Sequence, residues 1–254
     1  DLTRSLTVSS DVYYYTIGES IFVNTRHPDT AIQDAAALYG LGYQTGLQLP
    51  FEQNGYLPTP DRRTERHLEN PEVFPFPGWY PGDNVNVAVG QGEVLATPLQ
   101  LANAYAVFAN GGLRWAPNIV ERITRNDGTV VLEFGPRLAS EIEIDPAFRN
   151  RVMRGLSGVI SDEEGTAYWA FNSETTDGVY FPYDLYPLAG KTGTAEVRGK
   201  ADTSLFVAFG PTREPAYVMA AILEEAGFGS SVAAPLVARV LEPVFEETVP
   251  EAPT

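Results

Sequence analysis

The sequence predicts an α+β fold, an antiparallel sheet with flanking helices. Two apolar runs near the end, Ser204-Leu205-Phe206-Val207-Ala208-Phe209-Gly210 and Tyr217-Val218-Met219-Ala220-Ala221-Ile222-Leu223, follow the stretch Gly190–Glu196 across short turns. An amphipathic run from Val232 to Phe245 comes after them, and the earlier part of the chain is patterned mostly as helix. Strands clustered in sequence and set apart from helices are the pattern of an α+β domain.

Each element has its own signal. Ser9-Ser10-Asp11 ahead of Val12–Gly18 reads as a helix N-cap. Asp29–Leu38 spaces Ala31, Ile32, Ala35 and Leu38 as a short amphipathic helix, which Gly40 and Gly42 end. Seven prolines between positions 50 and 81 make residues 49–82 a long irregular connection, with Val73, Phe74, Phe76, Trp79 and Tyr80 packing its end down. Val85, Val87 and Val89 alternate as a strand would, and Gly90-Gln91-Gly92 turns the backbone sharply. Thr97-Pro98 opens a helix, apolar on two faces and therefore buried, that Asn110-Gly111-Gly112 closes. Ile119–Thr124 and Thr129–Phe134 flank Asn126-Asp127-Gly128 as a hairpin. Pro146–Ile160 and Gly165–Ala170 read as helices. No internal repeat is visible.

Composition excludes several functions. Seventeen basic residues against 33 acidic give a net charge of −16, which argues against nucleic acid and anionic lipid as partners. Without cysteine there is no thiolate metal site, cysteine nucleophile or disulfide. His27 and His67 lie in polar surroundings away from any nucleophile-elbow pattern and read as surface histidines. No apolar run is long enough to span a membrane, and neither a metal nor a cofactor is expected.

The stretch with chemistry is Gly190-Lys191-Thr192-Gly193-Thr194-Ala195-Glu196. A lysine, two hydroxyls and a glycine at the rim of a buried sheet suit an anion: the lysine brings charge, the hydroxyls donate, and the glycine lets a ligand approach the backbone. Taken alone, the triplet reads as a turn leading into a strand.

Together these stretches resemble the transpeptidase domain of penicillin-binding proteins, whose boxes are S-x-x-K, S-D-N and K-T-G. Lys191-Thr192-Gly193 resembles the third box and Ser9-Ser10-Asp11 the second. Gly82-Asp83 through Gly90-Gln91-Gly92 to Thr97–Tyr105 resembles the segment between them, and Gly229–Pro235 the entry to the last helix. Asp11, where most members carry asparagine, resembles the elongation-type penicillin-binding protein 2. The resemblance implies the fold shared by these proteins and β-lactamases, and acyl transfer from D-Ala–D-Ala stem peptides through a serine acyl-enzyme. It implies that Lys191, Thr192 and Thr194 bind the terminal carboxylate of substrate or β-lactam, with Gly193 between them, and that the Thr194 N–H is an oxyanion donor. It places Ser9 in a proton-passing network and has Asp11 orient the substrate amide. The partners implied are peptidoglycan stem peptides, β-lactams, a glycosyltransferase and elongation or division proteins of the membrane, with the domain on its outer face. A non-catalytic relative, a β-lactamase or a β-lactam sensor are the alternatives.

The first box is missing: residues 188 and 197, three before the two lysines, are leucine and valine, so no S-x-x-K occurs. Residues 1–247 are accordingly expected to be the C-terminal part of such a domain, incomplete at the N-terminus, with 248–254 a disordered tail. This chain by itself is expected to take no acyl group.

Overall fold

The computed structural model describes residues 1–24, 26–172 and 181–248. Two helices open the chain, α1 (Leu2–Thr7) and α2 (Asp11–Val23), with Ser9 and Ser10 at the corner between them. Helices α3 (Ala31–Leu38), α4 (Pro60–Glu69), α5 (Pro81–Ala88) and α6 (Pro98–Ala109) follow. Strands β1 (Leu113–Ala116), β2 (Arg122–Thr124), β3 (Val130–Glu133) and β4 (Arg137–Glu141) make two small antiparallel ladders, β2 with β3 and β1 with β4. After α7 (Pro146–Ser161) and α8 (Tyr168–Asn172) come β5 (Ala189–Ala195), β6 (Thr203–Gly210), β7 (Tyr217–Leu223) and α9 (Ala233–Thr248).

The sheet that positions the site is antiparallel in the order β5-β6-β7. Its β5–β6 register runs from Ala189 opposite Phe209 to Ala195 opposite Thr203. Successive side chains of β6 leave on opposite faces, as pleating requires. Phe206 and Ala208 enter a core with Phe171, Phe181, Val237 and Phe245 from α8, the segment before β5, and α9. Phe209 enters a second core with Phe108 of α6 and Leu156 of α7. Both faces are thus covered, and each fully buried phenylalanine contributes roughly 1.5–3 kcal/mol. Helix α6 is fixed at its start by a capping box: Thr97 Oγ1 accepts from the Gln100 N–H, and Gln100 Oε1 accepts from the Thr97 N–H. The buried Gln100 amide also donates to Tyr43 O at 2.6 Å and Asn54 O at 2.7 Å, tying down the loop before α4.

Several expectations need correction. Residues 49–82 are not irregular throughout, because α4 lies within them. Thr59 caps α4 and Pro60 opens it, while its apolar partners are rings rather than aliphatics: Arg62 and Arg66 lie over Tyr56, Arg63 over Trp79 and Arg66 over Phe74. Phe74 and Trp79 are half-buried, but Val73, Phe76 and Tyr80 are exposed. Val85 and Val87 belong to helix α5, not to a strand; Pro81 starts it, and the Asp83 carboxylate accepts from the Tyr80 N–H at 2.8 Å. Helix α6 is only partly buried over Leu101–Ala106. His27 is exposed as expected, but His67 is half-buried with Nδ1 2.7 Å from Phe74 O. The expected tail lies outside the described residues except for Thr248, which ends α9.

Candidate active site

Lys191 sits on β5, at the edge of the sheet, and its Nζ donates to Ser9 Oγ at 2.6 Å and to Thr192 O at 2.9 Å. The sequence-derived site residues Ser9, Asp11, Lys191, Thr192, Gly193 and Thr194 all line one cleft of about 1080 Å³. The structure therefore brings all six together, and the K-T-G triplet is part of a strand instead of a turn before one.

The strand edge explains how β5 serves the cleft. Thr192 O accepts from Lys191 Nζ, and Thr194 O accepts from Gln91 Nε2 at 3.2 Å. Both carbonyls therefore point away from β6. In an extended strand a residue's N–H and C=O leave on the same side, so the Thr192 and Thr194 N–H groups also face the cleft. The glycine that close packing requires beside β5 is Gly229 rather than Gly193, whose Cβ would meet only the Leu205 side chain, at 3.3 Å. Phe228–Ser231 crosses the sheet here, and a Cβ on Gly229 would lie 2.3 Å from both Gly193 O and Leu205 O. The Gly229 N–H in turn donates to Thr194 Oγ1 at 3.4 Å.

Ser9 is presented by the corner between α1 and α2. Its φ of 52° lies in the left-handed region. The Ser9 N–H donates to Leu6 O and the Ser10 N–H to Ser5 O at 2.9 Å. That is a Schellman ending, with serine at the position glycine usually fills. The corner is held from two sides. Helix α1 packs on α7, where Thr7 Oγ1 donates to Gly155 O at 3.2 Å. Helix α2 meets α5 at Gly18, whose carbonyl accepts from Asn84 Nδ2 at 3.3 Å.

Burial pulls the Lys191 ammonium down to about 8 from its usual 10.5, against the opposing attraction of the Asp11 carboxylate. At neutral pH the lysine is still mostly charged, half-dry and directed at a hydroxyl, so it is arranged to attract an anion. Among the described residues no group of three or more histidines and carboxylates is placed to hold a metal ion.

Two further residues reach β5 that the sequence did not single out as site residues. One is Gln91, held between Gly90 and Gly92, both at φ 72°. The other is Thr166, whose Oγ1 lies 2.7 Å from Thr192 Oγ1. The Gly90-Gln91-Gly92 motif offered a signal for the first; a lone threonine in a turn offered none for the second.

Comparison with known proteins shows the family of the chain. The family described as the penicillin binding protein transpeptidase domain matches residues 1–242. The peptidoglycan D,D-transpeptidase MrdA of Haemophilus influenzae is 28% identical over 268 residues, covering 99% of this chain and 37% of that protein. MrdA of Escherichia coli is 29% identical over 247 residues, covering 91% of this chain and 35% of its own length. The chain thus spans about a third of the curated relatives it matches. Among solved structures, PBP2 of Pseudomonas aeruginosa superposes with a TM-score of 0.76 at 27% identity, over 99% of this chain and 50% of the other. Helicobacter pylori PBP2, solved in complex with MreC, gives 0.72 at 25%, over 98% and 40%.

Proposed function

Since the chain belongs to the penicillin-binding protein transpeptidase family, we propose that it forms the substrate-binding wall of a peptidoglycan D,D-transpeptidase, of the kind that acts in cell-wall elongation. The observation that carries this is the Lys191–Ser9 hydrogen bond at 2.6 Å on an open strand edge flanked by Thr192 and Thr194. A stem peptide ending in D-Ala–D-Ala lies along β5. Lys191 and the two threonine hydroxyls take its terminal carboxylate. The Thr194 N–H faces the cleft, where it meets the oxyanion of the scissile carbonyl as that charge develops. Asp11 accepts from a substrate amide, and Ser9 relays hydrogen bonds to Lys191. The attacking serine is assigned to none of these 254 residues, since no S-x-x-K occurs among them. β-Lactams, which carry a carboxylate in the same place, occupy the same wall. The partners in this reading are membrane-borne cell-wall synthesis proteins, including a glycosyltransferase, on the outer side of the membrane. No helix of the described residues is long and apolar enough to cross one.

The test is calorimetric titration with N-acetyl-D-Ala–D-Ala between pH 6 and 10. Lys191 is charged below its value of about 8 and neutral above it. Affinity is expected to be flat below about pH 8 and to fall roughly tenfold per pH unit above it. Lys191→Ala should remove both the binding and the pH dependence. Wild-type binding that ignores Lys191→Ala would overturn the assignment.

A further inference from the structure

We propose that Thr166 is a positioning residue that turns the Thr192 hydroxyl toward the ligand and makes the cleft select an acceptor-only terminal group. The inference rests on reading the cleft as a carboxylate site. Thr166 lies in the turn between α7 and α8, and that turn is packed closely against α7. A Cβ on Gly165 would lie 2.2 Å from Gly158 O and 2.5 Å from Val159 O, so Gly165 is pressed against the end of α7. The Ala167 N–H then donates to Val159 O at 2.9 Å.

From this turn Thr166 reaches both walls of the site. Its N–H donates to Thr7 O at 3.3 Å, two residues before Ser9. Its hydroxyl lies 2.7 Å from that of Thr192, beside Lys191. Each hydroxyl has one proton, and the pair shares one hydrogen bond. If Thr192 donates to Thr166, it has no proton left for a ligand. If Thr166 donates to Thr192, the Thr192 proton is free to enter the cleft. A carboxylate can only accept, so its binding selects the second arrangement: Thr166 to Thr192 to carboxylate, with Lys191 alongside. A carboxamide brings its own donor and is compatible with either. The hydroxyl pair thus adds a preference that charge alone does not supply.

The experiment compares Thr166→Val, which keeps the shape and removes the hydroxyl, with Thr166→Ser, which keeps the hydroxyl. Calorimetry with N-acetyl-D-Ala–D-Ala and with its C-terminal amide is read alongside the thermal midpoint. Thr166→Val should weaken the carboxylate ligand by about three- to tenfold, the size of one net neutral hydrogen bond. It should lower the midpoint by only about 2–4 °C, the loss of the same bond in the free protein, and leave the amide ligand nearly unchanged, while Thr166→Ser should bind the carboxylate as wild type does. If Thr166→Val binds the carboxylate at full strength, or weakens both ligands equally, the inference is overturned. If wild type binds no carboxylate at all, the underlying reading of the cleft fails first, and the two failures are told apart by the wild-type titration.

Discussion

Ser9 shows a residue placed against its own backbone preference. It occupies the left-handed position of a Schellman ending, φ 52°, where a side chain costs about 1–2 kcal/mol and glycine costs nothing sterically. What the serine offers in return is its hydroxyl, 2.6 Å from Lys191 Nζ. Strain kept beside a functional group is usually kept for that group. Ser9→Gly should therefore raise the urea midpoint slightly, by up to ~1 kcal/mol of stability, while lowering affinity for N-acetyl-D-Ala–D-Ala. A variant both less stable and equally able to bind would contradict this trade. At this scale the motifs pointed to Ser9, Asp11 and Lys191, which the fold brings to one cleft. The sequence was silent on the depressed Lys191 value, which burial produces, and on Thr166, which contacts Thr192 from 26 residues away.

Elements are legible to the extent that their signals are local. The capped helix α6 and the hairpin of β2 and β3 follow from Thr97-Pro98 and Asn126-Asp127-Gly128. Helix α5 was misread because Val85, Val87 and Val89 alternate by accident. Buried Asn84, bonded to Trp79 Nε1 at 2.8 Å, and the turn bonds at Pro81–Asp83 set its conformation instead. Helix α4 has no aliphatic stripe to find, since its inward, half-buried face is arginine stems on aromatic rings. The β1–β4 ladder joins segments separated by the whole hairpin, so no local pattern marks it. The contact that matters most for Ser9 is α1 on α7. A Cβ at Gly155 would stand 2.7 Å from Leu6 Cβ and 2.9 Å from Thr3 O. Gly155→Ala gains helix propensity but overpacks this seam, so it should destabilise by roughly 1–3 kcal/mol and weaken dipeptide binding by moving Ser9. Gly82→Ala is the control: nothing lies within 4 Å of that Cβ in the first turn of α5, and stability should be unchanged or slightly higher. Equal losses in the two variants would remove the seam as the cause.

The whole molecule adds a long-range term. Net charge is −16, yet the cleft offers Lys191 to an anionic ligand. Distant carboxylates repel that ligand through solvent and are screened over a Debye length of about 8–10 Å at ordinary salt, whereas the contact with Lys191 is not. Stopped-flow association of an anionic dipeptide should therefore speed up severalfold as ionic strength rises from about 10 to 150 mM. A rate that falls with salt would show that local positive charge governs the approach. The contact at the heart of the cleft also spans the chain: Ser9 and Lys191 are 182 positions apart. Bringing the two together closes a long loop at a cost in chain entropy, and contacts this far apart in sequence form slowly. The cleft accordingly exists only when the two ends of the chain are folded together. A chain still emerging during synthesis has Ser9 early and Lys191 late, so it offers no half-dry lysine to capture a carboxylate before folding is complete.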